Sequence, residues 1–253
     1  MSIVHAIILG IVQGLTEFLP VSSSGHIIIV SELWHWGEPS TAFQIALHLG
    51  TLLAVVVFFW AEWKRILSGK DKPMLRSLAI ATIITAVIAA LVTNSRFLAE
   101  NPITIVVTLT VFGLLLWWVD SVSANDADPV PSTKQSAVLG VMQAVALVPG
   151  VSRSGILITA ARGMRMDRAA AARYAFLLSA PIIAMTPLAL LLDLGPNAGS
   201  FDVAAWVGLL VAAVSGWLAI RWLMDLVKRA SYGWFAAYRI LLAIVICIYV
   251  IGR

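Results

Sequence analysis

The sequence predicts an all-α polytopic membrane protein with six transmembrane helices and two re-entrant helix pairs in an inverted-topology repeat. Three observations carry this reading. The 253 residues are 60% hydrophobic and 12% charged, with a mean hydropathy of +0.95, a balance foreign to soluble domains. Near-uncharged runs of the roughly 20 residues that cross the hydrocarbon core as a helix recur along the chain. Finally, Leu9, Gly10, Gln13, Val21, Ser22, Ser24, Gly25 and Ile28 return as Leu139, Gly140, Gln143, Val151, Ser152, Ser154, Gly155 and Ile158, every pair 130 positions apart. Duplicated apolar segments interrupted by Pro, Gly and Ser point to broken helices whose ends meet near a bilayer midplane. The alternating ten-residue segments of a membrane barrel are not found in the sequence.

From the N-terminus, pieces near 4–18 and 26–36 flank the break Leu19-Pro20-Val21-Ser22-Ser23-Ser24-Gly25. Each is too short to cross alone, so the pair dips in and returns. Met1 to Gly10 lacks the basic region and small-residue cleavage site of a signal peptide and reads as mature sequence. Spans follow near 41–60, 76–94 and 103–120. The stretch 121–134, with its Asp, Pro and Ser residues, reads as the linker between repeat 1 (about 1–120) and repeat 2 (about 135–253). After the second interrupted pair come spans near 170–192, 205–224 and 235–251. With each pair re-entering on its own side, each half crosses an odd number of times, and the second half inserts upside down.

Charge distribution supplies an independent test. Lys64, Arg65, Lys70, Lys72 and Arg76 fall in one loop, Arg162, Arg165 and Arg168 follow the second pair, and Lys228 and Arg229 lie between the last two spans. All three groups land on one face, cytoplasmic by the positive-inside rule. The other face receives the 94–102 loop, where Glu100 offsets Arg96, and the 193–204 loop, with Asp193 and Asp202. Loop topology thus accounts for the formal charge of +4 without nucleic acid. The single cysteine, Cys247, excludes an intramolecular disulfide and is read as a lipid-facing structural thiol.

Gln13 and Glu17 share one helical face at i,i+4 inside an otherwise apolar piece, where an ionised carboxylate marks a functional site. One carboxylate and one amide make a poor all-protein cage; they suit Mg²⁺ or Ca²⁺ once phosphate oxygens and water complete the shell. Ser22, Ser23, Ser24 and Gly25 precede one helical piece, and Ser152, Arg153, Ser154 and Gly155 precede its sister. Such helix starts bind anions through free N–H groups and a positive dipole end. The copies differ where chemistry needs them to: Arg153 replaces Ser23, His26 replaces Ile156, and Glu17 replaces Leu147. A guanidinium suits phosphate oxygens, and His26 suits proton transfer near neutrality. His48 and Gln44 either line the cavity or pair with neighbouring helices. His5, His35, Trp34, Trp36, Trp60, Trp63 and Trp117 read as interfacial anchors, Arg173 and Arg239 as snorkelling cations, and Gly113, Gly208 and Gly216 as points of close helix approach.

The stretches QGLTEFLPVSSSGH, residues 13–26, and PGVSRSG, residues 149–155, resemble the two signature motifs of the bacterial undecaprenyl-diphosphatase family, also known for bacitracin resistance. The resemblance spans the whole chain. It implies hydrolysis of undecaprenyl diphosphate to the monophosphate carrier and inorganic phosphate, in support of peptidoglycan synthesis. It also implies essential roles for Glu17, Ser23, His26 and Arg153, with Ser22, Ser24, Gly25, Ser152, Ser154 and Gly155 around the phosphates. Gln13 stands where the family takes Glu or Gln, and leaves Glu17 as the motif's only carboxylate; Ser24 stands where Thr is also common. Ser23 is expected to be the nucleophile, His26 a proton shuttle, and Arg153 with Mg²⁺ or Ca²⁺ at Glu17 and Gln13 the stabiliser of phosphate oxygens; attack by water held by Glu17 and His26 is the other route. The implied setting is the bacterial inner membrane, with the site open to the periplasm and with lipid substrate and bilayer lipids as partners; a homodimer stays open. The rival reading is a transporter or flippase for an anionic polyprenyl phosphate lipid, since inverted repeats with opposed broken helices also build carriers.

Overall fold

The computed structural model describes residues 1–92, 101–194 and 201–251. These form α1 (Ile3–Phe18), α2 (Ser23–Leu33), α3 (Thr41–Phe58), α4 (Trp60–Leu67), α5 (Lys72–Val92), α6 (Pro102–Val122), α7 (Thr133–Val145), α8 (Arg153–Gly163), α9 (Arg168–Leu194), α10 (Val203–Leu226) and α11 (Gly233–Ile251), with no strand among the described residues. Four helices, α3, α5, α6 and α10, are long and apolar enough to cross a bilayer. Large apolar side chains lie exposed along them, among them Val57, Ile83, Leu91, Val107 and Leu210. A membrane-embedded, multi-pass chain is the setting in which that surface is satisfied.

Local sequence explains the boundaries. Ser2 caps α1 by accepting from the His5 amide, and Ser40, Asn101 and Asp202 cap α3, α6 and α10 in the same manner. Pro102 occupies the first turn of α6, where its missing N–H costs nothing. Ser132 and Gln135 form a reciprocal capping box at α7. The helix α1 stops because Pro20 pushes Leu19 into extended backbone, at φ −69° and ψ 141°. Sequence reading missed α4, whose Glu62 sits in the first turn and Lys64 and Arg65 in the last, matching the helix dipole.

Packing repeats at the same 130-residue spacing as the sequence. The helix α1 lies along α10, its counterpart α7 lies along α5, and α6 lies along α11. Ser215 Oγ donates to the Gly10 carbonyl at 3.2 Å, while Thr85 Oγ1 donates to the Gly140 carbonyl at 2.8 Å. Both glycines are needed for this approach: a Cβ would stand 2.9 Å from the Gly208 oxygen at Gly10 and 2.6 Å from the Ala81 oxygen at Gly140. Gly208 and Gly216 make room for the rings of Phe43 and Phe18.

Two features depart from the sequence reading. Arg162 is not a loop charge: it is 1% exposed and donates from Nε to Asp120 Oδ1 at 2.8 Å, with the Ser123 carbonyl at 3.0 Å and Asn125 Oδ1 at 2.7 Å as further acceptors. Arg168 Nε and the Tyr232 amide complete the carboxylate's partners, at 2.9 and 3.0 Å. Asp120 is therefore a buried clasp within α6, which continues to Val122, and α7 begins at Thr133. Burial and the Asp120 carboxylate hold the Tyr232 phenol above its ordinary pKa. The second departure is Arg239, which does not snorkel. It is fully buried in α11. Arg173 ion-pairs with Glu62 at 2.7 Å, and Cys247 is half-buried. Arg96, Glu100 and the side chain of Asp193, used in the charge argument, lie outside the described residues.

Candidate active site

Each break turns on one serine in the left-handed region. Ser22 and Ser152 both have φ 73°, a conformation disfavoured for residues with a Cβ and characteristic of functional sites when it persists. The geometry around them is duplicated: Ser22 Oγ lies 3.3 Å from Ser24 Oγ, and Ser152 Oγ lies 3.3 Å from Ser154 Oγ. Ser152 caps α8 by accepting from the Gly155 amide at 3.2 Å. Ser154 Oγ reaches across to the Leu19 carbonyl at 3.0 Å, joining the second break to the first. Gly150, at φ 86°, admits the Thr108 hydroxyl where a Cβ would stand 2.1 Å away.

This joining brings Glu17 and Arg153 together. Arg153 Nη1 lies 3.4 Å from Glu17 Oε1, with side chains 21% and 6% exposed. The same carboxylate accepts from Ser23 Oγ at 2.8 Å and Gln13 Nε2 at 3.1 Å, both through Oε2. Gln13 Nε2 also faces His48 Nδ1 at 3.3 Å. Apart from that ion pair, Arg153 Nη1 is buried and makes no hydrogen bond.

A cavity of about 600 Å³ is lined by Gln13, Ser23 and His48 of this group, while Glu17 and Arg153 are not among its lining residues. Gln13, Ser23, Ser24, Gly25, Gln44 and His48 provide its polar lining, and Ile28, Ile29, Ile105, Val245 and Ile246 its apolar wall. His48 thus does both things the sequence offered: it lines the cavity and pairs with a neighbouring helix. Gln44 lines it too, while donating to the Pro39 carbonyl at 2.9 Å. Of the residues expected around phosphates, Ser24 and Gly25 line the cavity, as does Ser23, the expected nucleophile. Ser22, Ser152, Ser154 and Gly155 are buried, and their polar atoms are occupied in building the breaks.

His26 falls in the first turn of α2 but is turned away from Ser23. Its Nδ1 meets the Ser22 carbonyl at 2.7 Å, and its Nε2 meets the Tyr238 hydroxyl at 2.7 Å. The two rings lie nearly parallel, at 2° with centroids 5.6 Å apart. Tyr238 was missed by sequence reading because no motif surrounds it. Only its place in an apolar run, beside Arg239, marked it. His5 stacks on Trp36 at 3.9 Å and Trp34 on Trp36 at 5.4 Å, so these three residues form one cluster.

The donor set bears on a divalent cation. No group of three His, Cys, Asp or Glu side chains able to hold a metal ion occurs among the described residues. Glu17 and Gln13, the residues that would hold Mg²⁺ or Ca²⁺, offer one buried carboxylate already paired with Arg153, Ser23 and the Gln13 amide N–H, so phosphate and water would supply most of the ligands.

The family model for Bacitracin resistance protein BacA matches residues 6–245. The chain belongs to that family. A relative named undecaprenyl-diphosphatase from Moorella thermoacetica is 41% identical over 256 residues, covering 97% of each chain. Another of the same name from Caldicellulosiruptor bescii is 40% identical over 264 residues, covering 100% of this chain and 99% of its own. An undecaprenyl-diphosphatase 2 from Stutzerimonas stutzeri is 39% identical, covering 98% of each. Both breaks and all four catalytic candidates of this BacA-family chain lie within the matched region.

Proposed function

We propose that the protein hydrolyses undecaprenyl diphosphate to undecaprenyl phosphate and inorganic phosphate. The observation that carries this reading is the meeting of Glu17, Ser23 and Arg153 beside a cavity with one polar end and one apolar wall. The diphosphate enters the polar end while its prenyl tail stays among Ile28, Ile105, Val245 and the surrounding lipid. The relatives' shared name supports the same substrate. The carrier reading gains nothing from these observations, since a carrier has no use for a serine hydroxyl held by a carboxylate.

In the first step Ser23 Oγ attacks the terminal phosphorus and its proton passes to Glu17, whose Oε2 already accepts that hydroxyl. The bond to the bridging oxygen breaks and undecaprenyl phosphate leaves. Water then hydrolyses the phosphoserine, returning the Ser23 hydroxyl and releasing inorganic phosphate. Arg153 and the amides at the start of α2 stabilise the equatorial oxygens, in keeping with the electrostatic character of phosphoryl transfer. His26 acts with Tyr238 as the proton relay at the edge of the site, not as the base for Ser23. A divalent cation held by Glu17 and Gln13 together with phosphate oxygens supplies charge neutralisation when bound.

The topology proposed with this mechanism has six crossings in two inverted repeats, 1–120 and 135–253, with α1–α2 and α7–α8 as re-entrant pairs. The recurrence of Ser215–Gly10 and Thr85–Gly140 contacts at one spacing supports it. The first pair opens to the periplasm and the basic loops lie in the cytoplasm. Phosphate release from a long-chain prenyl diphosphate by purified protein, lost in Glu17→Ala and Arg153→Ala, tests the function. Transport of the lipid without phosphate release would overturn it.

A further inference from the structure

Arg239 is fully buried, and its guanidinium donates to backbone carbonyls alone. Nε reaches Leu109 at 3.1 Å, Nη1 reaches Pro20 at 3.4 Å, and Nη2 reaches Thr108 at 3.3 Å and both Gly150 and Val151 at 3.0 Å. No carboxylate is among its described partners. Pro20 belongs to the first break and Gly150 and Val151 to the second, so one planar fork ties both breaks to α6. Breaks leave carbonyls without helical partners, and a guanidinium has five donors in fixed directions to meet them. Two glycines make the space: a Cβ at Gly155 would stand 2.9 Å from Arg239 Nη1, and one at Gly113 would stand 3.3 Å from Arg239 Cβ.

The carbonyls meet its donors but supply no negative charge. A guanidinium stays protonated in a protein, and burying it without an anion is costly. Here it sits between the two breaks, after which α2 and α8 start with positive dipole ends. A bound anionic headgroup offsets that charge. Arg239 does not line the cavity, so it acts through the breaks.

We infer that Arg239 is a positioning residue of the reaction. It fixes the first break against the second so that Ser23 and Arg153, the first helical residue after each, converge on one phosphate, and its charge favours a doubly anionic headgroup. This rests on the phosphatase reading.

The test uses purified full-length protein, with kcat and KM for a long-chain prenyl diphosphate and a melting temperature for wild type, Arg239→Lys and Arg239→Met. Arg239→Lys keeps the charge but cannot span both breaks. It is expected to melt near wild type, keep KM within about threefold and lose about 100-fold in kcat, the scale of a small misplacement of reacting groups. Folded Arg239→Met is expected to lose as much kcat and also to raise KM. Wild-type kcat in folded Arg239→Lys overturns the inference. So does failure of both variants to fold, which assigns the residue to stability alone. Absence of phosphate release by wild type overturns the phosphatase reading and this inference together; release by wild type and unchanged release by the variants overturns only the inference.

Discussion

Ser23 Oγ and Glu17 Oε2 stand 2.8 Å apart, joined across the Pro20 break by a hydrogen bond between residues of two different helices. The break makes this pairing. On a continuous helix, residues six apart are turned about 120° from each other and lie about 9 Å apart along the axis, whereas the turn through left-handed Ser22 folds Ser23 back over the end of α1. The carboxylate therefore serves the serine directly, and the imidazole serves another purpose.

Removing either member of that pair should remove most turnover. Ser23→Ala and Glu17→Gln are expected to lose at least about 1,000-fold in kcat, combining loss of the nucleophile or its base with disturbed charge at Arg153. Rapid acid quench of wild type with labelled substrate should trap phosphate on Ser23. Near-normal turnover by Ser23→Ala would end the nucleophile assignment in favour of direct attack by water.

Tyr238→Phe removes only the hydroxyl that His26 Nε2 meets at 2.7 Å. Its kcat is expected to fall about tenfold, and that of His26→Ala by about 100-fold, with little change in KM, as suits groups that move protons. The double variant should be no worse than His26→Ala. Additive losses would show that the two side chains act separately.

Asp120 carries the opposite kind of prediction, stability without chemistry. Asp120→Ala leaves Arg162, 1% exposed, as a buried charge without its carboxylate, a change that costs about 3–5 kcal/mol. Thermal unfolding in detergent should register the loss as a clearly lower midpoint, while kcat of the surviving folded protein stays near wild type.

Gly140→Ala tests the helix contact without touching the cavity. The added methyl must displace the Ala81 carbonyl, 2.6 Å from where it would sit, and overpacking of this kind costs about 1–3 kcal/mol. A similar loss is expected from Gly10→Ala. Unchanged melting temperatures in both would refute the close approach of α1 to α10 and of α7 to α5.

Glu38 is exposed at the cavity's margin. In the proposed orientation, a cysteine at that position in intact cells should react with a membrane-impermeant thiol reagent added outside. Labelling only after cell disruption would reverse the topology while leaving the chemistry intact.

The sequence by itself determined that this is a helical membrane chain, where most of its helices run, and which residues sit at the two breaks. Apolar run length, proline and capping serines act locally or along the chain, so they are legible in one dimension. The 130-residue repetition even announced that Ser23 and Arg153 belong to matching places in two copies. What only the tertiary structure decided is which groups face one another. His26, expected as a proton shuttle, meets the Ser22 carbonyl and the Tyr238 hydroxyl, a partner 212 residues away in sequence. Arg162 and Arg239, read as interfacial cations, are buried against a carboxylate and a set of carbonyls. A charge in an apolar run has two ways to avoid lipid, reaching the interface or finding partners inside, and sequence spacing does not distinguish them. The choice depends on where six or more helices place their carbonyls and carboxylates, which is settled only when the helices are packed.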